Sequence, residues 1–296
     1  MVFSLLSRIY YGFIRPPPAH KQDDAIRFGL IGASQIAPIA LIAPAKSHPE
    51  VIVAAVAARD RDRAASYAKK HDIPIVHASY QALLNDPSID AVYISLPNSH
   101  HYEWALRALK AGKHVLLEKP STANAAQASA LFTHPLATAP NAPVLLEAFH
   151  YVFHPAWQTF LALLRDPSAG RIESAFAAQY MPAGLVAPAG DIRWRYDLAG
   201  GAMMDFGTYP LHALRQMPGQ EPVKGSLGAE ARLLDRAKYR GFEREETEVD
   251  EYMRAWFRGD GGAEARMEAD LSVTGGWPFL PASWTRGVAG DGVAEV

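Results

Sequence analysis

The sequence predicts an α/β protein, a doubly wound parallel sheet followed by an α+β domain with a largely antiparallel sheet. Three observations carry this. Short, nearly continuous apolar runs alternate with helical stretches up to about residue 149, the pattern of parallel strands covered by helices on both faces. The links between them are short, as in repeated strand–helix units. Beyond that point strand patterns follow one another with a helix set against them, which marks a second domain of another class.

The elements read in order. Ile26 to Ile31 (IRFGLI) is a strand, and Gln35 to Ser47 a helix. Val51 to Ala57 (VIVAAVA) is a second buried strand, followed by the charged helix Arg61 to His71. A short strand at Ile75–Val76 leads to a helix at Tyr80 to Leu84, then strand Ala91 to Ser95, helix His100 to Ala111 and strand His114 to Leu117. Helix Ala123 to Phe132 and strand Val144 to Ala148 complete the first domain. In the second, Pro155 to Leu164 is a helix, Arg171 to Tyr180 a strand, Met181 to Gly190 a Gly/Pro-rich loop and Ala202 to Met217 a helix. Val249 to Phe257 and Ala263 to Leu271 flank the hairpin signal Gly259-Asp260-Gly261-Gly262. From Gly275 to Val296 the pattern fades, and an incomplete or atypical domain end is expected. The domains are thus 1–25, an N-terminal arm; 26–149; and 150–296.

Composition narrows the function. The chain has 296 residues, about half of them apolar, a formal net charge of −2 and no cysteine. A nucleic-acid binder relying on a basic footprint is disfavoured. Disulfides, thiolate nucleophiles and cysteine-ligated metals are excluded. Met1 to Ile14 is apolar and aromatic but interrupted by Arg8, too short to span a bilayer and without a clear cleavage site. It reads as an amphipathic arm joined through the stiff Arg15-Pro16-Pro17-Pro18 spacer. A cytoplasmic protein without a transmembrane segment is expected.

The first strand runs into Gly32-Ala33-Ser34-Gln35-Ile36-Ala37, a degenerate G-x-G-x-x-G/A turn opening the first helix. Gly32 permits the tight turn and Ala37 close helix–strand packing, while Ser34 replaces the glycine over which a pyrophosphate passes. The helix-start amides supply an anion site, and the serine hydroxyl can donate to it. After the second strand stand Ala58-Arg59-Asp60. An acidic residue here suits a ribose 2′-hydroxyl; Arg59 suits a 2′-phosphate, so the expected cofactor is NADP. Asp60 can equally be a plain helix N-cap.

Two segments lie at the carboxyl ends of the next strands, where open α/β sheets bind ligands: Ser95-Leu96-Pro97-Asn98-Ser99-His100-His101 and Glu118-Lys119-Pro120. The turn at Gly32, Pro97-Asn98-x-x-His101, Glu118-Lys119-Pro120 and Gly200-Gly201-Ala202-Met203-Met204-Asp205-x-Gly207-x-Tyr209 together resemble the Gfo/Idh/MocA oxidoreductase family, from about Ile26 to Leu271. The likeness is strongest to its branch of dimeric dihydrodiol dehydrogenases and fungal NADP-dependent D-xylose dehydrogenases. It implies a Rossmann-type nucleotide domain, with Lys119 and Tyr209 catalytic. A phenol is a poor base at its ordinary pKa of about 10, and a neighbouring ammonium lowers that value.

Asp205, four residues before Tyr209, shares its face on a regular helix and would orient the substrate or pair with Lys119. Pro210 argues that the helix breaks or restarts there. Gly32, Ser34, Gln35, Ile36, Ala37, Arg59, Leu96, Asn98, His101 and Glu118 are the expected cofactor contacts; His101 reads equally as a surface residue at a helix start. Asp191, Arg193 and Trp194 are expected to face the substrate, Trp194 as a flat apolar wall. Glu147, His150 and His154 lack any recognised ligand spacing, so no metal is expected. The expected reaction is oxidation of a sugar hydroxyl, D-xylose at C1 to the lactone. A trans-dihydrodiol substrate and a non-catalytic NADP-binding regulator are the alternatives, and retention of Lys119 and Tyr209 speaks against the regulator. The resemblance further implies a homodimer where the second sheet is complete.

Overall fold

The computed structural model describes residues 10–11, 16–182, 190–219, 221–234 and 248–273, with side chains 224–226 excepted. Most of the N-terminal arm, most of the Gly/Pro-rich loop and the 275–296 stretch, where an atypical end was expected, lie outside the described residues. The chain divides into two compact units, Met1–Phe149 and His150–Val296.

The first unit is built on six parallel strands: β1 (Ile26–Ile31), β2 (Val51–Ala57), β3 (Ile75–Val76), β4 (Ala91–Ile94), β5 (His114–Leu117) and β6 (Leu145–Glu147). Their order is β3-β2-β1-β4-β5-β6, the doubly wound arrangement whose strand order reverses between β1 and β4. Leu30, Ile31, Val56, Ala57, Val92, Ile94 and Leu117 are buried, as strands covered on both faces require.

The helices are α1 (Ala43–Ser47), α2 (Arg61–His71), α3 (Tyr80–Leu84), α4 (His101–Lys110), α5 (Ala125–Phe132) and α6 (Pro135–Thr138). Asp60 caps α2 by accepting the Arg63 N–H at 2.9 Å. Helix α4 buries His101, Ala105, Ala108 and Leu109, one stripe at helical spacing. The helix expected from Gln35 starts later: Gln35 and Ile36 form a bend, and a π-helical turn, Pro38–Ile42, leads into α1. Proline lacks an N–H and belongs in a first turn, so Pro38 sets the start.

The second unit has α7 (Pro155–Arg165), β7 (Ser174–Pro182), α8 (Thr208–Gln216), β8 (Pro222–Leu233), β9 (Asp250–Gly259) and β10 (Glu264–Val273). The sheet order is β7-β10-β9-β8, mostly antiparallel, with β7 parallel to β10. The glycine-rich turn closes the β9–β10 hairpin, Gly259 N–H donating to the Ala263 carbonyl at 2.9 Å. Ala265, Met267, Ala269 and Leu271 alternate inward on β10 and join Trp194, Phe206, Leu214 and Phe257 in the core. The outer face mixes charge and aromatics, with Arg266 over Phe176 at 4.5 Å. Strand β7 starts later than the expected Arg171 and takes in Met181 and Pro182.

The helix expected over Ala202 to Met217 is a π turn, Met203–Gly207, running directly into α8. Pro210, which has no N–H to give, lies in α8 three residues after the π turn, where the winding changes. The winding changes from π to α here rather than breaking. The π turn is started by Asp250, whose Oδ2 accepts the Met203 N–H at 2.6 Å. Burial raises the Asp250 pKa above the usual carboxylate value, opposed by that bond.

A raised native pKa means that the folded state holds the proton more tightly than the unfolded chain. Stability from protonated Asp250 is present below about pH 4 and declines as pH rises through the native value. Asp250→Asn keeps an acceptor without the charge. Its stability relative to wild type, by denaturant titration, is expected to improve as pH rises from about 4 to 7. Asp250→Ala, lacking the acceptor as well, is expected to be about 0.5–2 kcal/mol less stable than Asp250→Asn at every pH. A wild-type-minus-Asn difference that does not change with pH would refute the assignment.

Candidate active site

In the first unit the sheet's carboxyl edge begins with the turn after β1. Gly32 has φ +108°, and a Cβ there would press on the Leu96 side chain at 3.1 Å and the Ser95 carbonyl at 3.3 Å. Its N–H donates to the Ala57 carbonyl at 2.9 Å, tying the turn to the end of β2. Ser34 Oγ accepts the Ala37 N–H at 3.2 Å, which leaves the hydroxyl's own proton to give. Two side chains of α2 brace this turn. Arg63 donates to the Ala33 carbonyl at 3.0 Å, and the Tyr67 hydroxyl donates to the Ser34 carbonyl at 2.9 Å. Burial pushes the Tyr67 phenol up to about 12, with the Arg63 charge opposing, so it stays a protonated donor.

Gln35 and Ile36 are exposed beside the turn, and Arg59 is exposed beyond the end of β2. The charges of Arg59 and Arg63 both act on Tyr80, whose pKa burial nonetheless raises. Two cations therefore stand near one phenol at this edge. The cradle at Gly32 and the amides of the following turn fit the phosphates of a dinucleotide.

The loops after β4 and β5 form the next part of the edge. Leu96 and Asn98 are half-buried. His101 is fully buried, contrary to a surface position, because it opens the inward stripe of α4. Its ring nitrogens lie 2.8 Å from the carbonyl oxygens of Pro120 and Leu96. Both nitrogens thus face backbone carbonyls, one in each of the two loops. Burial lowers its pKa; the two carbonyls oppose that, and the charges of His100 and Lys119 add to it.

Glu118 is an anchor as well. It accepts the Tyr93 hydroxyl, and its Oε2 accepts the Lys119 N–H at 3.2 Å. The Lys119–Pro120 peptide is cis. Glu147, at the end of β6, takes the Ser121 N–H on Oε1 at 2.7 Å. Lys119 itself is half-buried.

In the second unit the paired glycines are required by close approach. A Cβ at Gly200 would strike the Arg193 carbonyl, and one at Gly201, φ +121°, the Asp250 carboxylate. The Gly201 N–H donates to the Arg193 carbonyl at 2.7 Å. This folds the 191–195 segment onto the π turn and brings three sequence-predicted residues together. Arg193 Nε donates to Asp205, and Arg193 Nη1 donates to Asp191 Oδ1 at 3.0 Å. The two carboxylates outweigh burial and raise the arginine's pKa, so its charge is permanent.

Trp194 differs from its expected role as a substrate-facing wall. The short helix Ile192–Trp194 turns its indole into the core, where it is fully buried. Tyr209 is half-buried beside a ring cluster, with His150 at 6.0 Å and Tyr151 at 6.2 Å between ring centroids. The Tyr151 hydroxyl and His212 Nδ1 are 2.6 Å apart.

Tyr67, Tyr93, Tyr151 and His212 escaped the sequence reading, while Glu147, weighed there only as a metal ligand, and Arg63, noticed only as a charge behind Arg59, hold loop backbone. The strand order supplies a signal for one of them: β5 and β6 pair with Leu117 opposite Glu147, so that carboxylate stands beside the Glu-Lys-Pro loop. His212, three residues beyond Tyr209, is one helical turn away.

Comparisons with known proteins agree with this geometry. Residues 26–138 match the GFO/IDH/MocA oxidoreductase family, described as an NAD-binding Rossmann fold, and residues 157–289 match the GFO/IDH/MocA C-terminal domain. The chain is 41% identical over 188 residues to a dTDP-3,4-didehydro-2,6-dideoxy-alpha-D-glucose 3-reductase of Streptomyces antibioticus, covering 64% of this chain but only 55% of that protein. It is 36% identical over 249 residues to a D-xylose 1-dehydrogenase (NADP(+)) of Haloferax volcanii, covering 83% of this chain and 70% of that one. The crystal structure of KijD10, a 3-ketoreductase from Actinomadura kijaniata in complex with NADP and TDP-benzene, superposes with TM-score 0.70 at 32% identity, covering 83% of this chain and 70% of that chain. The chain thus spans between about half and seven-tenths of the length of these relatives. From the ordered sheet to the paired glycines, it belongs to the GFO/IDH/MocA family of NAD-binding Rossmann-fold oxidoreductases.

Proposed function

We propose that the protein is an NADP-dependent sugar oxidoreductase in which Tyr209 moves the hydroxyl proton and Lys119 makes it able to do so. The observation that carries this reading is the Lys119 loop. A half-buried lysine stands at the carboxyl end of β5, where such sheets bind ligands, with the backbone around it held by buried His101 and half-buried Glu118 and Glu147.

The turn at Gly32, with Ser34, Gln35, Ile36 and Ala37, would hold the pyrophosphate. Arg59 would take the 2′-phosphate through charge-assisted bonds. Leu96, Asn98 and Glu118 would border the nicotinamide ribose, with His101 holding their loops. NADP, when bound, supplies the acceptor for the hydride that the carbinol carbon loses. As the family resemblance implies, the Lys119 ammonium would favour the Tyr209 phenolate. Tyr209 then accepts the substrate's hydroxyl proton; in the reverse direction it donates one to a developing alkoxide. Asp205, steadied by Arg193, offers a carboxylate oxygen to a substrate hydroxyl, with Asp191 on the same guanidinium.

D-xylose oxidised at C1 to its lactone is the first substrate to test, in keeping with the D-xylose dehydrogenase relative over most of this chain. Reduction of a nucleotide-linked keto sugar is the second reading, favoured by the dTDP-sugar reductase and the solved ketoreductase. It uses the same two residues with the proton moving the other way.

The test follows NADP reduction with D-xylose and with a trans-dihydrodiol, and NADPH oxidation with a dTDP-linked keto sugar. Lys119→Met and Tyr209→Phe are each expected to lower kcat by about 10²–10⁴-fold. NADP affinity, by fluorescence titration, should stay within about threefold. Variants as active as wild type would sink the assignment of both residues. Separately, Arg59→Asp removes a charge-assisted bond worth about 1.5–3 kcal/mol. It is expected to weaken NADP about 10–100-fold and NAD far less; an unchanged NADP:NAD preference would take Arg59 out of the cofactor site.

A further inference from the structure

We infer that His101 is a positioning residue for Lys119: its buried ring ties the loop after β4 to the loop after β5 and fixes the backbone from which the lysine projects. This rests on the catalytic reading of Lys119 proposed above. The ring is fully buried, with one nitrogen 2.8 Å from the Leu96 carbonyl and the other 2.8 Å from the Pro120 carbonyl, directly after Lys119.

Packing alone does not call for this residue. The other inward positions of α4 are filled by Ala105, Ala108 and Leu109, and an apolar side chain would continue that stripe without desolvating a polar ring. A buried imidazole is costly unless its nitrogens are engaged; here each faces a backbone carbonyl from a different loop, the neutral ring donating to one of them and the doubly protonated ring to both. Carbonyls at these loop positions lie beyond the sheet ladder, so they need partners from elsewhere.

The neighbouring anchors act on the same four residues. The Glu118 carboxylate accepts the Tyr93 hydroxyl and the Lys119 N–H, and Glu147 accepts the Ser121 N–H at 2.7 Å. Those anchors tie this loop to β4 and to the end of β6; His101 adds the tie to the loop after β4. Leu96, whose carbonyl faces the ring, also sets its side chain against the place a Cβ at Gly32 would take. The ring therefore sets the phosphate turn, the β4 loop and the lysine loop in register. Lys119 and His101 also sense each other electrostatically, the lysine charge being among those that lower the histidine's pKa.

The experiment compares His101→Leu, His101→Gln, Lys119→Met and the His101→Leu/Lys119→Met double variant, each assayed well below its own Tm. His101→Leu is expected to lower kcat about 10–100-fold, the scale of an ångström's misplacement of a reacting group. KM and NADP affinity should change less than about threefold. His101→Gln retains an amide that can donate to one carbonyl and should lose less; it also keeps the comparison available if the leucine variant does not fold. The double variant should be no slower than Lys119→Met, because the histidine acts through the lysine.

In the protein without cofactor, the acetylation rate of the Lys119 amine relative to exposed Lys110, by mass spectrometry, should change at least about threefold in His101→Leu. Full activity in both His101 variants beside an inactive Lys119→Met would overturn the positioning role and leave the lysine reading intact. A double variant slowed by the product of the single effects would also overturn it. If Lys119→Met is itself as active as wild type, the catalytic reading fails and this inference with it.

Discussion

The close approach of Gly32 to the Ser95 carbonyl and the Leu96 side chain is the constraint on which the nucleotide domain's working edge depends. A parallel sheet buries its strands on both faces and leaves its carboxyl edge as the place where polar groups can be gathered. Without a Cβ, the turn after β1 lies directly against the loop after β4. That loop is carried on, through the Leu96 and Pro120 carbonyls and the His101 ring between them, to the residue after Lys119. Three loops from three strands thus share one line of contacts. The side chains expected to do chemistry hang from it, rather than forming it.

The second unit repeats this design with other parts. The Gly200–Gly201 pair lets two backbone segments close where any side chain would keep them apart, and Asp250 fills the start of the π turn. The permanently charged Arg193 gathers Asp191 and Asp205. Tyr209 follows two residues after the π turn, with His150, Tyr151 and His212 around it. In each unit a tight glycine approach precedes the residue assigned a role in catalysis. A fixed backbone lets a lysine or a phenol act without reorganising at the moment of reaction.

Much of this was legible in the sequence, for reasons that can be named. The strands of the first unit announce themselves because burial on both faces forces unbroken apolar runs such as VIVAAVA. The motifs were legible because close approach demands glycine at Gly32, Gly200 and Gly201. The bracing side chains were not, since Tyr67, Tyr93, Glu147 and His212 are brought to the motifs by topology rather than by spacing. The burial of Trp194, expected at a substrate, and of His101, for which a surface position was an equal reading, was not legible. Whether each turns inward depends on a short helix or on a helix's buried stripe. The helix starts at Pro38 and around Pro210 depend on π turns, which leave no periodic signal of their own.

The most direct test of the account is isotope transfer. D-xylose deuterated at C1 and NADP, or deuterated NADPH and a dTDP-linked keto sugar, would be incubated with the protein, and the products weighed by mass spectrometry. The account predicts direct movement of the label between the sugar carbon and the nicotinamide, without dilution by solvent hydrogen. A protein that binds NADP yet moves no label with either sugar, or that incorporates solvent hydrogen at the carbon, would contradict it.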